Sequence, residues 1–200
     1  MTANSACRFV SFALVFALAM AGWSGVALAG DVELDIGAFG AGFTLPLLHL
    51  ACLLGFVGIG LWSGLLGGET VWQFPGIALL GALGGCLLAE AGVFLPYAEL
   101  VPVIGLVVVG VSIALGLQFP ILSPAVLALF LALYLGAPLA HAIRGAHLWY
   151  WLGFGSAALL AVSAGLGFAV VVGRAPLALG VRTLGAGLAA TGVLMFLDRI

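Results

Sequence analysis

Residues 38–66 read AFGAGFTLPLLHLACLLGFVGIGLWSGLL, an apolar stretch that contains no acidic residue, no lysine and no arginine. About 20 apolar residues are enough for a helix to cross the roughly 30 Å hydrocarbon core of a bilayer. Strands of a membrane barrel alternate polar and apolar residues, and this stretch does not. It therefore predicts a transmembrane helix that ends at the polar turn Gly67-Gly68-Glu69-Thr70.

Further apolar segments follow, each separated from the next by a short turn that contains glycine, proline or arginine. They run approximately over residues 71–94, 99–117, 121–142, 149–172 and 177–197. Each is close to the length that a membrane-crossing helix needs. The sequence thus predicts an all-α polytopic membrane protein with about six transmembrane helices, which form one domain over residues 30–200.

The composition agrees with a protein whose surface faces lipid. The chain is 65% hydrophobic and only 6% charged, whereas about a quarter of the residues in an ordinary soluble domain are charged. Five arginines, no lysine and seven acidic residues are too few to cover 200 residues with a hydrated surface. A net charge of −2 without a basic cluster also argues against nucleic acid as a partner. The lipid bilayer is the predicted environment.

The first 29 residues have the order of a secretory signal peptide. Arg8 precedes the apolar run 9–20, and Ala27-Leu28-Ala29 forms an A-x-A cleavage site. The alternative is an uncleaved first helix, because residues 9–29 are just long enough to span a bilayer. In both cases the acidic stretch 31–35 is expected outside, since it lacks the positive charge of cytoplasmic loops. We predict a bacterial inner-membrane protein with a periplasmic N-terminus.

Glycine patterns in the apolar segments predict where helices pack closely against each other. Small residues let transmembrane helices approach closely where no hydrophobic force drives them together. Gly81-x-x-x-Gly85 and Gly185-x-x-x-Ala189 are such patterns. We interpret them as packing faces inside the bundle rather than as homodimer contacts.

Four tryptophans lie near predicted segment ends and suggest the interfacial belts of a membrane protein. They are Trp62, Trp72, Trp149 and Trp151.

Ionisable residues within apolar segments are the first candidates for function, because burying them in a membrane costs several kcal/mol. His49, Glu90, Glu99 and His141 meet this description. For each residue taken alone, a structural role is the simpler interpretation. Glu90, Glu99 and His141 lie near segment ends, where their side chains can reach the membrane surface. A neutral imidazole at His49 needs only one hydrogen bond to a backbone carbonyl. No nucleophile, base and orienting group occur in a recognisable arrangement, so the sequence does not predict an enzyme.

Cysteine usage indicates packing rather than a disulfide framework or a zinc site. Cys7 lies in the signal, whereas Cys52 and Cys86 lie inside apolar segments, and no C-x-x-C pair is present.

Residues 42–62, GFTLPLLHLACLLGFVGIGLW, and residues 92–99, GVFLPYAE, resemble two stretches of the HupE/UreJ family of six-helix, signal-bearing membrane proteins associated with nickel uptake for hydrogenase and urease. The family's first helix reads G-F-x-H-P-x-x-G-x-D-H and closes in G-L-W. Residues 42–62 keep Gly42-Phe43, Pro46 and Gly60-Leu61-Trp62 of this frame. Residues 92–99, GVFLPYAE, are similar to the family's G-V-x-L-P-x-x-E.

The resemblance implies a permease for divalent nickel or cobalt, as substrate rather than cofactor, but the metal motif differs here. The family's histidine before proline is Leu45, its aspartate is Ala51 and its next histidine is Cys52. In the fourth segment, the family's histidines fall on Leu135 and Leu139 or their neighbours.

Glu99 keeps a matching polar position, and His49 stands where the family has glycine. Imidazole and carboxylate groups are the donors that suit nickel, and leucine and alanine offer none. The candidate metal ligands of this chain are therefore Glu99, His49 and Cys52.

Two hypotheses follow from these substitutions. The first is a retuned metal permease that uses Cys52, Glu99 and either His49 or His141. The second is a non-transporting relative, which keeps the scaffold and serves as an accessory or structural subunit beside other membrane protein subunits.

Overall fold

A computed structural model describes residues 37–117, 122–140, 148–173 and 178–198. The predicted signal peptide, residues 1–29, and the candidate His141 lie outside the described residues. Helices and turns make up the described part of the chain, so the all-α prediction is confirmed.

The described residues form seven helices. They are α1 (Gly37–Leu48), α2 (Leu50–Leu66), α3 (Thr70–Glu90), α4 (Leu100–Leu115), α5 (Leu122–Ala140), α6 (Leu148–Gly173) and α7 (Ala178–Leu197). Each predicted apolar segment coincides with one helix, except the first, which contains both α1 and α2.

Length and hydropathy mark several of these helices as membrane-crossing. Three are long and apolar enough to span a bilayer on their own, within residues 70–90, 149–171 and 180–197. The pair formed by α1 and α2 passes the same test together, and α4 and α5 are apolar but shorter. The chain is a polytopic helical membrane protein.

The outer surface of the bundle is apolar, as a lipid-facing surface must be. Leucine, valine and phenylalanine side chains on α3, α5 and α6 are largely exposed, among them Leu80, Val126, Leu160 and Val171. Soluble monomers rarely expose so much contiguous apolar surface. The lipid bilayer therefore surrounds these helices.

The first predicted segment is not one straight helix, which corrects the sequence-based expectation. The axes of α1 and α2 differ by 78°, and His49 between them has extended dihedral angles of φ −82° and ψ 101°. Both helices pack on α6. A Cβ atom at Gly42 would overlap the Tyr150 carbonyl oxygen, and one at Gly60 would overlap that of Val162. The two helices therefore contact different parts of α6 on either side of the bend.

Three helix pairs account for most of the bundle: α3 with α5, α4 with α7, and α2 with α6. Glycines lie at each interface. Gly81 and Gly85 of α3 lie against the backbone of α5, near Leu129 and Leu133. Gly185 of α7 lies against the end of α4. These are close approaches of backbone to backbone within a single chain.

One of the tryptophans assigned to the interfacial belts is inside the bundle instead. Trp72 and Trp149 are 86% and 64% exposed, as the belt requires, but Trp62 is only 2% exposed. Its ring packs edge-on against Phe74, with 6.2 Å between ring centroids. The neighbouring α3 covers Trp62, and position in the sequence could not reveal this.

Hydrogen bonds of two hydroxyl groups stabilise the turn between α2 and α3. The Ser63 hydroxyl donates to the Thr70 carbonyl oxygen at 2.9 Å, and the Thr70 hydroxyl lies 2.6 Å from the Gly67 carbonyl oxygen and 3.1 Å from that of Ser63. Both side chains are buried. Gly67 and Gly68 have φ angles of +67° and +62°, which residues with a Cβ rarely adopt. The turn therefore depends on two glycines and on two buried hydroxyl groups.

We expect Ser63→Ala to lower the free energy of unfolding by about 1–2 kcal/mol, because a buried carbonyl loses its donor. Thermal unfolding of the purified protein in detergent measures this. Ser156→Ala is the matched control, since the Ser156 hydroxyl only bonds the Gly153 carbonyl one turn earlier in the same helix. Equal effects of the two substitutions would contradict a special role for the turn.

Candidate functional site

The positions of the family's metal motif lie at one end of the bundle, which we call the first end. Here α1 ends, α2 and α6 begin, and α3 and α5 end. Leu45 is in the last turn of α1, where its carbonyl oxygen accepts from the His49 amide at 3.0 Å. Ala51 and Cys52 are in the first turn of α2. These positions thus flank the break between the two helices.

Cys52 contacts Leu135, one of the fourth-segment positions on or next to which the resemblance places a family histidine. Its thiol donates to the Leu135 carbonyl oxygen, with 3.4 Å between sulfur and oxygen. Gly55 leaves room for the Leu135 side chain, whose Cδ1 atom would lie 2.6 Å from a Cβ atom at Gly55. Cys52 and Leu135 are 2% and 0% exposed. Positions 52 and 135, far apart in sequence, are therefore neighbours.

A second thiol approaches the same part of α5. The Cys86 thiol donates to the Gly136 carbonyl oxygen at 3.3 Å. Pro138, inside α5, has no amide hydrogen, so the neighbouring Tyr134 carbonyl lacks its helical donor, whereas the two carbonyls that the thiols contact are those of Leu135 and Gly136. The two thiols thus contact consecutive carbonyl groups.

Tyr150 completes this group at the first end. It is 1% exposed and lies near both thiols. Its ring packs edge-on against Trp151, with the centroids 5.6 Å apart. We refer to Cys52, Cys86, Leu135, Gly136 and Tyr150 as the thiol cluster.

The remaining candidates are at the surface rather than in the thiol cluster. His49 is exposed at the break, and Glu99 is exposed directly before α4. Glu90 is exposed at the end of α3. Within residues 37–117, 122–140, 148–173 and 178–198, no three histidine, cysteine, aspartate or glutamate side chains gather as a metal site would require. The structure therefore does not bring His49, Cys52 and Glu99 together as one such group.

Apolar side chains are present at the positions where the resemblance places the family's metal ligands. Leu135 belongs to the hydrophobic core, and Leu45 packs against that core as a partly buried side chain. Ala51 is 8% exposed. The donors at this place are two thiols and backbone carbonyl groups, which differ from the imidazole and carboxylate donors that suit nickel.

Sequence reasoning missed the involvement of Cys86 and Tyr150. Cys86 was interpreted only as a small packing residue, and Tyr150 was not singled out. Nothing in the spacing relates either residue to Cys52, because the three lie on separate helices. An aligned set of relatives could have shown whether positions 52 and 86 change together.

Comparison with known proteins gives one result for this chain. No curated protein and no solved structure matches it. The family model described as HupE / UreJ protein matches residues 17–195, which is most of the chain. The match includes both stretches on which the resemblance rested, the helices α1 to α6, and α7 as far as residue 195, and the chain belongs to the HupE/UreJ family.

Proposed function

We propose that this chain is a membrane-embedded accessory protein of the HupE/UreJ type that does not bind divalent nickel or cobalt through the family's ligand set. The family is related to nickel and cobalt transport. In this chain, the positions of the metal motif have become part of the packed interior. The contact between Cys52 and Leu135 is the observation that carries the proposal.

The chemistry of the donors supports this proposal. A divalent nickel or cobalt ion must exchange its water ligands for imidazole, carboxylate or thiolate groups. Leu45, Ala51 and Leu135 provide no donor atom, and the Cys52 thiol donates its hydrogen to a carbonyl. A thiol binds metal only after it loses its proton.

The helical scaffold supports an accessory role. The chain forms close helix pairs and a break between α1 and α2 although the motif positions lack the family's donors. Such a scaffold can contact other membrane protein subunits without transporting an ion. We propose that the apolar outer surface has this role. Purification in mild detergent tests it, and a protein that always migrates as a single chain would contradict it.

A second candidate function is a permease retuned to use Cys52, Glu99 and His49. The contacts of the Cys52 and Cys86 thiols with consecutive carbonyl groups of α5 favour it, because they place a second sulfur atom near Cys52. Thiolates suit soft metal ions. On this hypothesis, the break between α1 and α2 forms part of the ion path, as discontinuous helices do in transporters.

Nickel uptake by a bacterium that lacks its own high-affinity nickel uptake distinguishes the two candidates. We expect cells that express the native chain to accumulate no more nickel than cells with an empty vector. We also expect Cys52→Ala and Glu99→Gln to leave this level unchanged. Uptake that the native chain raises and that either substitution abolishes would establish the retuned permease. Immunodetection in membranes controls for the amount of each protein.

A further inference from the structure

A cavity of about 120 Å³ lies at the opposite end of the bundle, which we call the second end. Trp62, Leu65 and Leu66 of α2 line one side of it, and Ser112 and Gly116 at the end of α4 line another. Arg182, near the start of α7, completes the lining. At about 30 Å³ for each water molecule, the volume suits a small polar group rather than a whole acyl chain.

Arg182 is the only arginine or lysine among the described residues. No hydrogen bond or ion pair joins it to another residue of the described ranges, and its side chain is exposed. The other charged side chains in those ranges, Glu69, Glu90, Glu99 and Asp198, are acidic. A guanidinium group has five N–H donors, and it binds phosphate and carboxylate groups through pairs of these donors.

The end of α4 lies directly against the guanidinium group of Arg182, beside the cavity. Gly116 has φ +63°, and the Leu117 amide donates to the Ser112 carbonyl at 3.0 Å, which closes the helix as a Schellman motif. A Cβ atom at Gly116 would lie only 2.8 Å from Nη2 of Arg182. The glycine is therefore needed for its dihedral angle and for the room that it leaves to Arg182.

The other walls of the cavity are apolar, apart from one hydroxyl group and one indole group. The Ser112 hydroxyl donates to the Val108 carbonyl at 2.8 Å. Trp62 has a buried Nε1–H group without an acceptor in the described part of the chain. Among the described residues, the lining thus contains a cation and one indole N–H donor without an acceptor, but no carboxylate. Its charge is complementary to an anion.

We propose that this cavity binds the phosphate group of an anionic phospholipid, with Arg182 as the principal ligand. The second end is where α2 and α4 end and α7 begins, so the cavity lies at the level where a helical membrane protein meets lipid headgroups. Basic pockets between transmembrane helices bind such headgroups. The leucines of the lining contact the apolar part of the same lipid. This site is independent of the proposed function at the first end.

Native mass spectrometry of the full chain in detergent tests the proposal with phosphatidylglycerol as the probe. We expect the native chain to retain one phosphatidylglycerol at least tenfold better than phosphatidylcholine with the same acyl chains. Arg182→Gln is expected to reduce this retention at least tenfold. Arg144→Gln, which removes the same charge elsewhere in the sequence, is expected to leave it unchanged.

Two further variants keep the test informative if Arg182→Gln fails to fold. Arg182→Lys keeps the charge but loses the paired N–H donors, and Leu66→Phe fills the cavity, so both are expected to weaken retention. Retention that is equal in the native chain and in all three cavity variants would overturn the proposal. A thermal stabilisation by inorganic phosphate equal to that by phosphatidylglycerol would also overturn it, in favour of a site for soluble anions.

Discussion

Gly85→Ala is expected to lower the midpoint of thermal unfolding by about 6–12 °C, because α3 and α5 touch backbone to backbone at this residue. A Cβ atom at Gly85 would overlap the Leu133 carbonyl oxygen, and the Cα atom of Leu133 would also lie within 4 Å of that Cβ atom. Backbone atoms cannot rotate away, so the two helices must separate. Overpacking of this kind costs about 3 kcal/mol, and 1 kcal/mol shifts the midpoint by about 2–4 °C in a chain of this size.

Gly84→Ala is the matched control for this prediction. Gly84 is the preceding residue of the same helix, and a Cβ atom there would meet nothing within 4 Å. Alanine favours a helix by up to about 1 kcal/mol over glycine, so we expect the control to be as stable as the native chain or slightly more stable. Near-ultraviolet and far-ultraviolet circular dichroism in detergent measure both variants. Equal midpoints for the two variants would contradict the close α3–α5 interface.

The triple substitution Leu45→His, Ala51→Asp and Cys52→His is expected to make the stability of the protein depend on nickel. It places the family's donors on both sides of the break between α1 and α2. Without metal, the variant should be less stable than the native chain, because a buried carboxylate and buried imidazoles lose hydration. At about 100 times the Kd, nickel should then stabilise the folded variant by about 2.7 kcal/mol, which corresponds to a rise of about 5–11 °C.

Ala51→Asp alone is the control for the triple substitution. It introduces the same buried carboxylate without the imidazoles, so we expect a loss of stability that nickel does not reverse. The native chain should show no change of its unfolding midpoint with nickel. A nickel-dependent rise in the native chain, equal to that of the triple variant, would contradict the view that the motif positions have lost their function.

Candidate ligands were harder to recognise than helices, and the thiol cluster shows why. Cys52 could be compared with the family's motif by position, but the sequence contains no relation between Cys52, Cys86 and Tyr150. Their proximity depends on how α2, α3, α5 and α6 meet at the first end. His49 and Glu99 were selected because polar residues are rare in apolar segments. That argument identifies unusual residues but does not place them relative to one another.

The break between α1 and α2 has a similar explanation. Residues 38–66 are uniformly apolar, and uniform hydrophobicity contains no information about where a helix changes direction. Pro46 lies close to the break, yet Pro75 lies inside α3 without ending it. The first segment contacts α6 on both sides of the bend, at Gly42 and Gly60, and these contacts depend on residues more than 100 positions away in the chain.

The sequence by itself determined that this protein is helical and lies in a membrane, because these properties depend on hydrophobicity summed over about 20 neighbouring residues. It also determined the turns and the glycine patterns, which are local. Only the tertiary structure decided that Trp62 is buried, that Cys52 meets Leu135, and that Arg182 stands beside a cavity. These facts depend on the distance between side chains on different helices, and local hydrophobicity does not specify which helices are neighbours.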